Sequence, residues 1–414
     1  MGVPAAVTQE QLDSQAPQRW RVLLLLSIAE LLALSLWFSG SAVVPALRAE
    51  WSLTATSVNW LTIAVQLGFV CGTLLSAFLN LPDIFSARYL VAVCALGGAA
   101  ANALFGFYAR DAGTAIVLRF LTGAFLAGVY PPGMKIIASW FRRSRGLALG
   151  VLIGALTLGK ATPYLINGIG SSNWRINILA SSLLALVGGL LVLLFVSDGP
   201  FGTVAARFDW TQVVKVFRNR GVRLASLGYF GHMWELYAMW AWAPVMIRAS
   251  LGARGNTTVF AEVVSFLVIG SGVIGCVVAG LLADRVGRTA VTSWAMAISG
   301  SCCLVVGFLF GAHPMLLMLV AAIWGASVVA DSAQFSTCVT ELGDPQYLGT
   351  ALTIQTCIGF LITTISIELI PHVVNAIGWR YAFMILAPGP AFGVLAMLRL
   401  RELPEAVKIA HGRR

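Results

Sequence analysis

Charged residues are scarce in this chain. Only 11% of its 414 residues are Asp, Glu, Lys or Arg, whereas 58% are hydrophobic. Soluble proteins carry about 25% charged residues, which they need to cover a water-facing surface. The composition therefore excludes a soluble globular protein and predicts an integral membrane protein whose apolar surface faces the lipid bilayer.

Residues that could form disulfides or bind metals are also few. The seven cysteines are odd in number, lie in apolar runs and include no CxxC pair, and the four histidines form no cluster. This pattern is typical of cysteines that act as small buried hydrophobic side chains. We therefore expect no disulfide framework, no metal and no cofactor.

The sequence lacks a catalytic motif as well. The segment 154–161 nearly fits the phosphate-binding loop GxxxxGK[ST], but Ala161 lacks the hydroxyl that would hold magnesium. The segment also lies inside an apolar run, whereas that loop joins a strand to a helix. No Ser/His/Asp arrangement and no zinc spacing appears elsewhere, so we predict that the chain is not an enzyme.

Long apolar runs dominate the sequence. A membrane-spanning helix needs about 20 such residues. Twelve runs meet this need, and they predict an all-α polytopic membrane protein. In order, the predicted spans are Arg21–Pro45, Val58–Leu79, Tyr89–Tyr108, Thr114–Trp140, Gly146–Ile169, Arg175–Val196, Val222–Ile247, Val259–Ala283, Ala290–Phe310, Met315–Val339, Gly349–Pro371 and Tyr381–Leu400.

The basic residues are distributed unevenly between the two ends of these spans. Of 27 lysines and arginines, 18 flank the side that carries both termini, 6 flank the other side, and the remaining 3 lie within spans. Cytoplasmic links carry the excess of Lys and Arg. We therefore expect both termini in the cytoplasm, a location in the plasma (bacterial inner) membrane, and no nucleic-acid partner despite the net charge of +10.

The chain repeats itself. Trp174-Arg175 opens the sixth span and Trp379-Arg380 opens the twelfth, 205 residues later. Many secondary transporters are built from two such halves, so we predict two pseudo-symmetric six-helix bundles. The predicted organisation is a cytoplasmic tail at 1–20, a first bundle at 21–196, a linker with a surface helix at 197–221, a second bundle at 222–400 and a cytoplasmic tail at 401–414.

Two motifs carry a resemblance to a known family. Arg119, followed by Gly123, Ala127, Pro131 and Trp140-Phe141, is similar to a fourth-helix signature of the major facilitator superfamily. The segment 280–288, GLLADRVGR, closely resembles the superfamily's loop signature. The resemblance implies a transporter whose two bundles rock around a central site and move a small solute by alternating access.

The loop signature also implies a conformational latch. By resemblance, Asp284 with Arg285 and Arg288 would hold the cytoplasmic ends of neighbouring helices together in one state. The counterpart in the first half keeps Asp83 but loses the glycines and the adjacent arginine. A tight turn with solvated charges is the alternative interpretation of Asp284 and Arg285.

Ionisable residues inside the spans indicate where a site would lie. Charges avoid lipid, so we expect the helices that carry them to face the centre. The candidate cavity residues are Glu30, Arg119, Lys160, Glu235, Asp331, Trp234, Tyr237, Gln334 and Gln355. Some have structural alternatives: Arg119 can tie helices together, Trp234 and Tyr237 can belong to an interfacial belt, and the glutamines can join helices.

The resemblance implies a secondary transporter, which we expect to be a monomer, and the carboxylates inside the spans favour coupling to protons. Glu235 and Asp331 are candidates for proton exchange, and Lys160 is expected to bridge to them in the empty state. A buried lysine slightly favours a small anionic substrate over a cationic one, and a permanent Lys160–carboxylate pair with a neutral substrate is the alternative. The alternatives are a proton-driven drug or metabolite efflux antiporter and, from another class, a polytopic membrane enzyme or sensor.

Overall fold

A computed structural model describes residues 16–141, 144–169, 173–201, 209 and 212–413. Almost all of the described chain is helical and it contains no strand. The α-helices are α1 Ala16–Leu34, α2 Ser39–Ala42, α3 Val44–Trp51, α4 Ala55–Phe78, α5 Leu81–Ile84, α6 Ala87–Tyr108, α7 Ala112–Leu126, α8 Tyr130–Trp140, α9 Arg145–Ile169, α10 Trp174–Phe195, α11 Val213–Arg218, α12 Arg220–Gly252, α13 Thr258–Gly270, α14 Gly272–Val286, α15 Arg288–Val305, α16 Pro314–Ala330, α17 Ser332–Leu342, α18 Leu348–Ile377, α19 Trp379–Ala382 and α20 Pro388–Arg401. Short 3-10 helices occupy Val306–Leu309, Pro345–Tyr347, Phe383–Leu386 and Pro404–Gly412.

The all-α membrane fold predicted from the sequence is confirmed. Within the described residues, ten helical segments are long and apolar enough to cross a membrane. The other two predicted spans coincide with α1 to α2 and with α12, whose polar residues reduce their apolar character. The total of twelve spans stays a prediction, and these two polar segments line the centre of the molecule.

Several predicted spans are broken in the middle, which the apolar pattern does not reveal. The chain leaves the helix between α1 and α2, between α7 and α8, around Ser271 and around Asp331. Backbone groups freed inside a membrane must find other partners. At one break the Ser271 hydroxyl donates to the Val268 and Ala322 carbonyl oxygens, so side chains replace the missing helical bonds.

The helices form two bundles that meet along two pairs of membrane spans, one of which includes the broken span made of α13 and α14. In the first bundle α4 packs on α7 and α10 packs on α6 and α1; in the second, α12 packs on α18 and α20. Between the bundles, α9 packs on α13 and α14, while α4 packs on α18. Glycines permit this approach, because a Cβ at Gly150 would lie 2.6 Å from the Cys276 carbonyl oxygen.

Both described chain ends lie at the same end of the molecule, which we call the terminal end. Trp20 packs on Phe141 with ring centroids 5.3 Å apart, and Arg413 donates to the Asp284 carbonyl oxygen at 2.7 Å. Asp284 in turn lies against Gly146, at the start of α9. The bundles therefore touch at the terminal end.

The bundles also touch at the opposite end. Asn59 of α4 donates to Glu368 of α18 at 3.1 Å. A Cβ at Gly168 would lie 3.2 Å from the Cβ of Glu262 on α13. Contacts at both ends enclose the residues between them, so the structure is a closed state.

A short ion-pair network at the opposite end holds the first bundle together. Glu50 accepts a hydrogen bond from Trp174 at 2.6 Å and pairs with Arg175 at 3.4 Å. The hydrogen bond from Trp174, with the charge of Arg175, lowers the pKa of Glu50. This contact joins the end of α3 to the start of α10.

Part of the predicted linker and the first predicted tail lie outside the described residues. Residues 1–15, 202–208 and 210–211 are among those not described, so Trp210 cannot be placed in the predicted surface helix. Within the linker, α11 presents Val214 to the exterior and buries Val216.

Candidate functional site: a buried lysine between the two bundles

Lys160 of α9 lies at the interface between the bundles and is 2% exposed. Its ammonium donates to the Tyr237 hydroxyl at 2.5 Å. The same nitrogen lies 4.3 Å from the ring centroid of Trp37, 4.6 Å from that of Tyr237 and 4.7 Å from that of Trp240. In the described part of the chain no carboxylate forms an ion pair with it. Aromatic faces and the Tyr237 hydroxyl therefore supply the contacts of the ammonium.

A close helix crossing fixes the position of Lys160. A Cβ at Gly159 would lie 2.2 Å from the carbonyl oxygen of Leu31, so α1 and α9 touch backbone to backbone. Only glycine permits this distance, because any side chain would overlap the α1 backbone. The crossing brings Lys160 close to Glu30, the residue that precedes Leu31 on α1.

Arg119 holds the break in the first span, and through it Trp37. Its guanidinium donates to the Leu36 carbonyl oxygen at 2.8 Å and also to the Trp37 carbonyl oxygen. It further donates to Ser39 Oγ at 3.0 Å and to Asn102 Oδ1 at 3.1 Å. The two carbonyl oxygens belong to residues at the break between α1 and α2. The structure thus places Arg119 as a support for the aromatic site and not in contact with Lys160.

Glu30 is a buried carboxylate without hydrogen bonds. It is 0% exposed, and neither carboxylate oxygen has a hydrogen-bond partner in the described chain. It lies against Gly133 of α8, where a Cβ would come within 1.9 Å of Oε1. Its charge interacts with that of Lys160. Sequence reasoning placed Glu30 among the candidates without identifying this relation.

Glu235 and Asp331 have partners inside the second bundle. Glu235 accepts hydrogen bonds from Trp324 Nε1 at 2.5 Å, Ser299 Oγ at 2.8 Å and Cys303 Sγ at 3.0 Å. Asp331 Oδ1 lies 2.9 Å from Nδ1 of His232, which is also buried. Among the described residues neither carboxylate pairs with Lys160, so the bridge expected from the sequence is not present in this closed state.

The other predicted cavity residues have different surroundings. Trp234 donates to the Ile385 carbonyl oxygen at 3.0 Å and packs on Gly389, within the second bundle. Gln334 accepts from Arg288 at 2.9 Å, toward the terminal end. Gln355 of α18 is 1% exposed and its Nε2 has no partner among the described residues. Of the candidates, the structure brings Lys160, Tyr237 and Glu30 together.

Comparison with known proteins identifies the family. The Major Facilitator Superfamily model matches residues 25–367 of the chain. The chain belongs to this superfamily. Its members are transporters and not enzymes, so the expected absence of catalysis agrees with the family.

Curated relatives of this superfamily member share limited identity with it. The chain is 32% identical to a puromycin resistance protein of Streptomyces alboniger over 37% of its own length, but that match spans 30% of the relative. It is 24% identical to the 4-hydroxybenzoate transporter PcaK of Pseudomonas aeruginosa, over 77% of the chain and 80% of the relative. The match to the puromycin resistance protein spans less than a third of that protein.

A solved structure agrees with the fold. The proton:xylose symporter XylE, bound to 6-bromo-6-deoxy-D-glucose, superimposes with a TM-score of 0.73. The likeness covers 93% of this chain and 95% of that one at 15% sequence identity. At this identity the comparison supports the architecture alone.

Asp284, the residue to which the superfamily's loop signature assigns a latch, lies between the two bundles at the terminal end. The carboxylate of Asp284 lies against Gly146 at the start of α9, where a Cβ would come within 2.8 Å of both oxygens. A carboxylate is favourable at a helix N-terminus, because the backbone N–H groups there carry positive partial charge. Asp284 thus joins the second bundle to the first, while Arg285 is exposed to the exterior.

Arg288 strengthens this end of the second bundle. It donates two hydrogen bonds to Glu341, at 3.0 and 2.8 Å, and approaches Asp284 at 3.7 Å. The corresponding contact in the first half would involve Asp83, whose side chain lies outside the described residues.

Sequence reasoning missed Trp37, Trp240 and Asn102 as site residues. Tryptophans of membrane proteins are usually assigned to the membrane interfaces, so the contacts of Trp37 and Trp240 with Lys160 were not predicted. The spacing of Tyr237 and Trp240 on α12 was the available signal, because residues three apart share a helix face.

Proposed function

We propose that this transporter moves a small organic anion, coupled to protons, and that Lys160 is the anchor for the anion. The observation that carries the proposal is the buried ammonium, enclosed by residues of both bundles, with which no carboxylate of the described residues forms an ion pair. A buried cation normally needs an anion. An anionic substrate would supply this partner at the point where the two bundles separate during transport.

The contacts that hold Lys160 in the closed state are replaceable. Its partners are one neutral hydroxyl and three ring faces. A carboxylate adds the attraction of its full negative charge for the ammonium, which a neutral hydroxyl lacks. A substrate carboxylate can therefore displace Tyr237 without breaking a structural ion pair.

Glu30 is the carboxylate that we assign to proton coupling. It has no hydrogen-bond donor in the described chain, and its charge interacts with Lys160. If an anion binds to Lys160, Glu30 loses the compensation that Lys160 gives to its buried charge, and taking a proton removes that charge. Glu235, which we expected to exchange protons, is held by three donors and is a less suitable carrier.

The name of one relative supports this choice and that of another supports an alternative. The relative with the longer match is a 4-hydroxybenzoate transporter, which handles an organic anion. The puromycin resistance protein favours a second candidate function, the efflux of a drug in exchange for protons. A cationic drug would be repelled by Lys160, so removing the lysine charge distinguishes the two functions.

The test uses the full chain in proteoliposomes, with organic anions, cations and neutral solutes offered under an imposed pH gradient. We expect the Lys160→Gln protein to remain folded and to lose anion binding, while Lys135→Gln serves as the control for removing another lysine near the membrane. A stable Lys160→Gln protein with unchanged anion affinity would contradict the proposal. Tighter binding of a cation by that variant would support efflux.

Coupling is tested by the same uptake assay on carboxamide variants. We expect Glu30→Gln to bind the anion but to lose accumulation driven by the pH gradient, whereas Glu235→Gln and Asp331→Asn retain it. Loss of accumulation in either of the latter two, with Glu30→Gln still coupled, would move the proton site to the second bundle.

A further inference from the structure

The aromatic residues around Lys160 form one continuous cluster contributed by both bundles. Trp37 and Phe69 belong to the first bundle, and Tyr237, Trp240 and Phe360 belong to the second. The centroid of the Phe69 ring lies 4.4 Å from that of Phe360, Trp37 lies 5.5 Å from Tyr237, and Tyr237 lies 5.1 Å from Trp240. When the bundles separate, the ring faces that pack on one another in this cluster become exposed to the space between the bundles.

Two tryptophans of the cluster have unused hydrogen-bond donors. The indole N–H groups of Trp37 and Trp240 are buried and have no acceptor in the described part of the chain. Buried donors are paired in the great majority of cases. Five other indoles of this protein follow that rule and donate to a carbonyl or carboxylate oxygen: Trp140, Trp174, Trp234, Trp242 and Trp324.

The two rings that carry the unused donors are also among the rings that pack against Lys160, which has no ion pair among the described residues. Both indole rings lie within 5 Å of the Lys160 ammonium, at 4.3 and 4.7 Å. The site therefore offers one cation and two N–H groups. A carboxylate has about four positions for accepting hydrogen bonds, so a single carboxylate group can satisfy all three.

The part of the ligand beyond its carboxylate must pack against the aromatic rings that line the site. A small inorganic anion would satisfy the donors but would leave the faces of five rings without a partner once the bundles separate. Aromatic rings pack favourably edge to face or offset on one another. A ligand with one carboxylate and one aromatic ring satisfies both parts of the site.

We propose that the substrate is an aromatic monocarboxylate. Its carboxylate replaces the Tyr237 hydroxyl on Lys160 and accepts from the indoles of Trp37 and Trp240, while its ring packs among Trp37, Trp240 and Phe360. This inference rests on the proposed anion transport, and it adds the class of anion.

Binding of matched probes to the purified full chain tests the inference, with isothermal titration calorimetry as the readout. Benzoate is the principal probe. Cyclohexanecarboxylate has the same charge and a similar size, but its ring is saturated and at least as apolar. Benzamide keeps the aromatic ring and removes the charge, and acetate keeps the carboxylate alone.

We expect benzoate to bind on the order of tenfold tighter than cyclohexanecarboxylate, because the ring-on-ring contribution corresponds to about that ratio. Benzamide and acetate should bind more weakly still. If the two ring acids bind equally well and both require Lys160, the aromatic inference is wrong and anion transport stands. If none of these anions binds, or if benzoate binds equally to the Lys160→Gln protein, both proposals fail.

Two tryptophans on the same helix provide a matched pair of variants. Trp240→Leu should abolish the preference for benzoate, whereas Trp242→Leu should keep it, because the Trp242 indole donates to the Ile367 carbonyl oxygen at 2.9 Å and not toward Lys160. Trp240→Phe keeps a ring, so it should retain the preference while weakening both ring acids. Preservation of the preference in a folded Trp240→Leu protein would overturn the assignment.

Discussion

Arg119 shows how a charged residue inside a membrane can serve structure. Its guanidinium replaces the helical hydrogen bonds that the backbone loses between α1 and α2, and its acceptors include the carbonyl oxygens of Leu36 and Trp37. The planar group with five donors can satisfy several acceptors at once, which a lysine ammonium cannot do in the same geometry. Of the two interpretations open from the sequence, this geometry favours the structural tie.

The Arg119→Lys protein should therefore be less stable. Loss of two or more buried hydrogen bonds is expected to lower the free energy of unfolding by about 1–3 kcal/mol, measured as a lower midpoint of thermal unfolding in detergent. Arg175→Lys is the control, because Arg175 makes one ion pair at 3.4 Å and is 36% exposed. Equal stability of the two variants would show that the guanidinium geometry does not matter.

Sequence reasoning identified the buried charged residues but not their orientations. Each residue of a helix turns by about 100°, so Glu235 and Tyr237, two positions apart, cannot face the same way. Tyr237 meets Lys160 at the bundle interface, and Glu235 meets Trp324 inside the second bundle. Hydropathy detects that a polar residue is buried, whereas its direction depends on how the helix is rotated by its neighbours.

At the scale of elements, α9 and α4 are the helices of the first bundle through which the bundles contact each other. The glycines of α9 at 150 and 154 are one turn apart, yet their surroundings differ. A Cβ at Gly150 would lie 2.6 Å from a backbone carbonyl oxygen of α14, whereas at Gly154 the nearest atoms are at 3.4 Å, an ordinary contact. Small residues spaced four apart allow helices to approach closely, and only the structure separates the two positions.

Gly150→Ala should consequently favour opening at the terminal end, and Gly154→Ala should have little effect. The added methyl group at position 150 must push α9 away from α14, where Cys276 is buried. Modification of Cys276 by a water-soluble maleimide, followed by mass spectrometry of its peptide, measures this opening. Similar labelling of the two alanine variants would contradict the expected role of Gly150.

The latch at Asp284 leads to a kinetic prediction. Asp284→Asn should slow transport with only a modest effect on substrate affinity, because the carboxylate stabilises one state of the bundles and lies far from Lys160. The maximal rate and the apparent affinity of uptake by proteoliposomes separate the two effects. Asp344→Asn, at an exposed turn ahead of α18, is the matched control. Normal turnover combined with much weaker binding would exclude a latch.

At the scale of the whole molecule, hydropathy predicted the all-α architecture well, because lipid selects apolar helices of a fixed length. It did not predict the mid-span breaks, because these depend on replacement partners supplied by distant residues. The break held by Arg119 is the clearest example, since the Leu36 carbonyl oxygen that accepts from it lies at the break itself, 83 residues earlier in the chain. The domain boundaries proposed at 197 and 222 stay predictions.

The orientation in the membrane is the remaining whole-molecule prediction. Both described ends lie at the terminal end, and the excess of basic residues predicts that this end faces the cytoplasm. A reporter that is active only inside the cell should work when fused after the last residue and fail when inserted beside Ala253. A reporter at the carboxyl terminus that is active only outside would reverse the proposed orientation.

The contacts at both ends of the closed state have a consequence for the energy supply of the cell. With Asn59 on Glu368 at one end and Asp284 on Gly146 at the other, the closed state brings the bundles together at both ends of the molecule. A water path open at both ends would let protons flow down their gradient, and these contacts oppose such a path. A cell could accumulate many copies of the protein in this state without dissipating the proton gradient across its membrane.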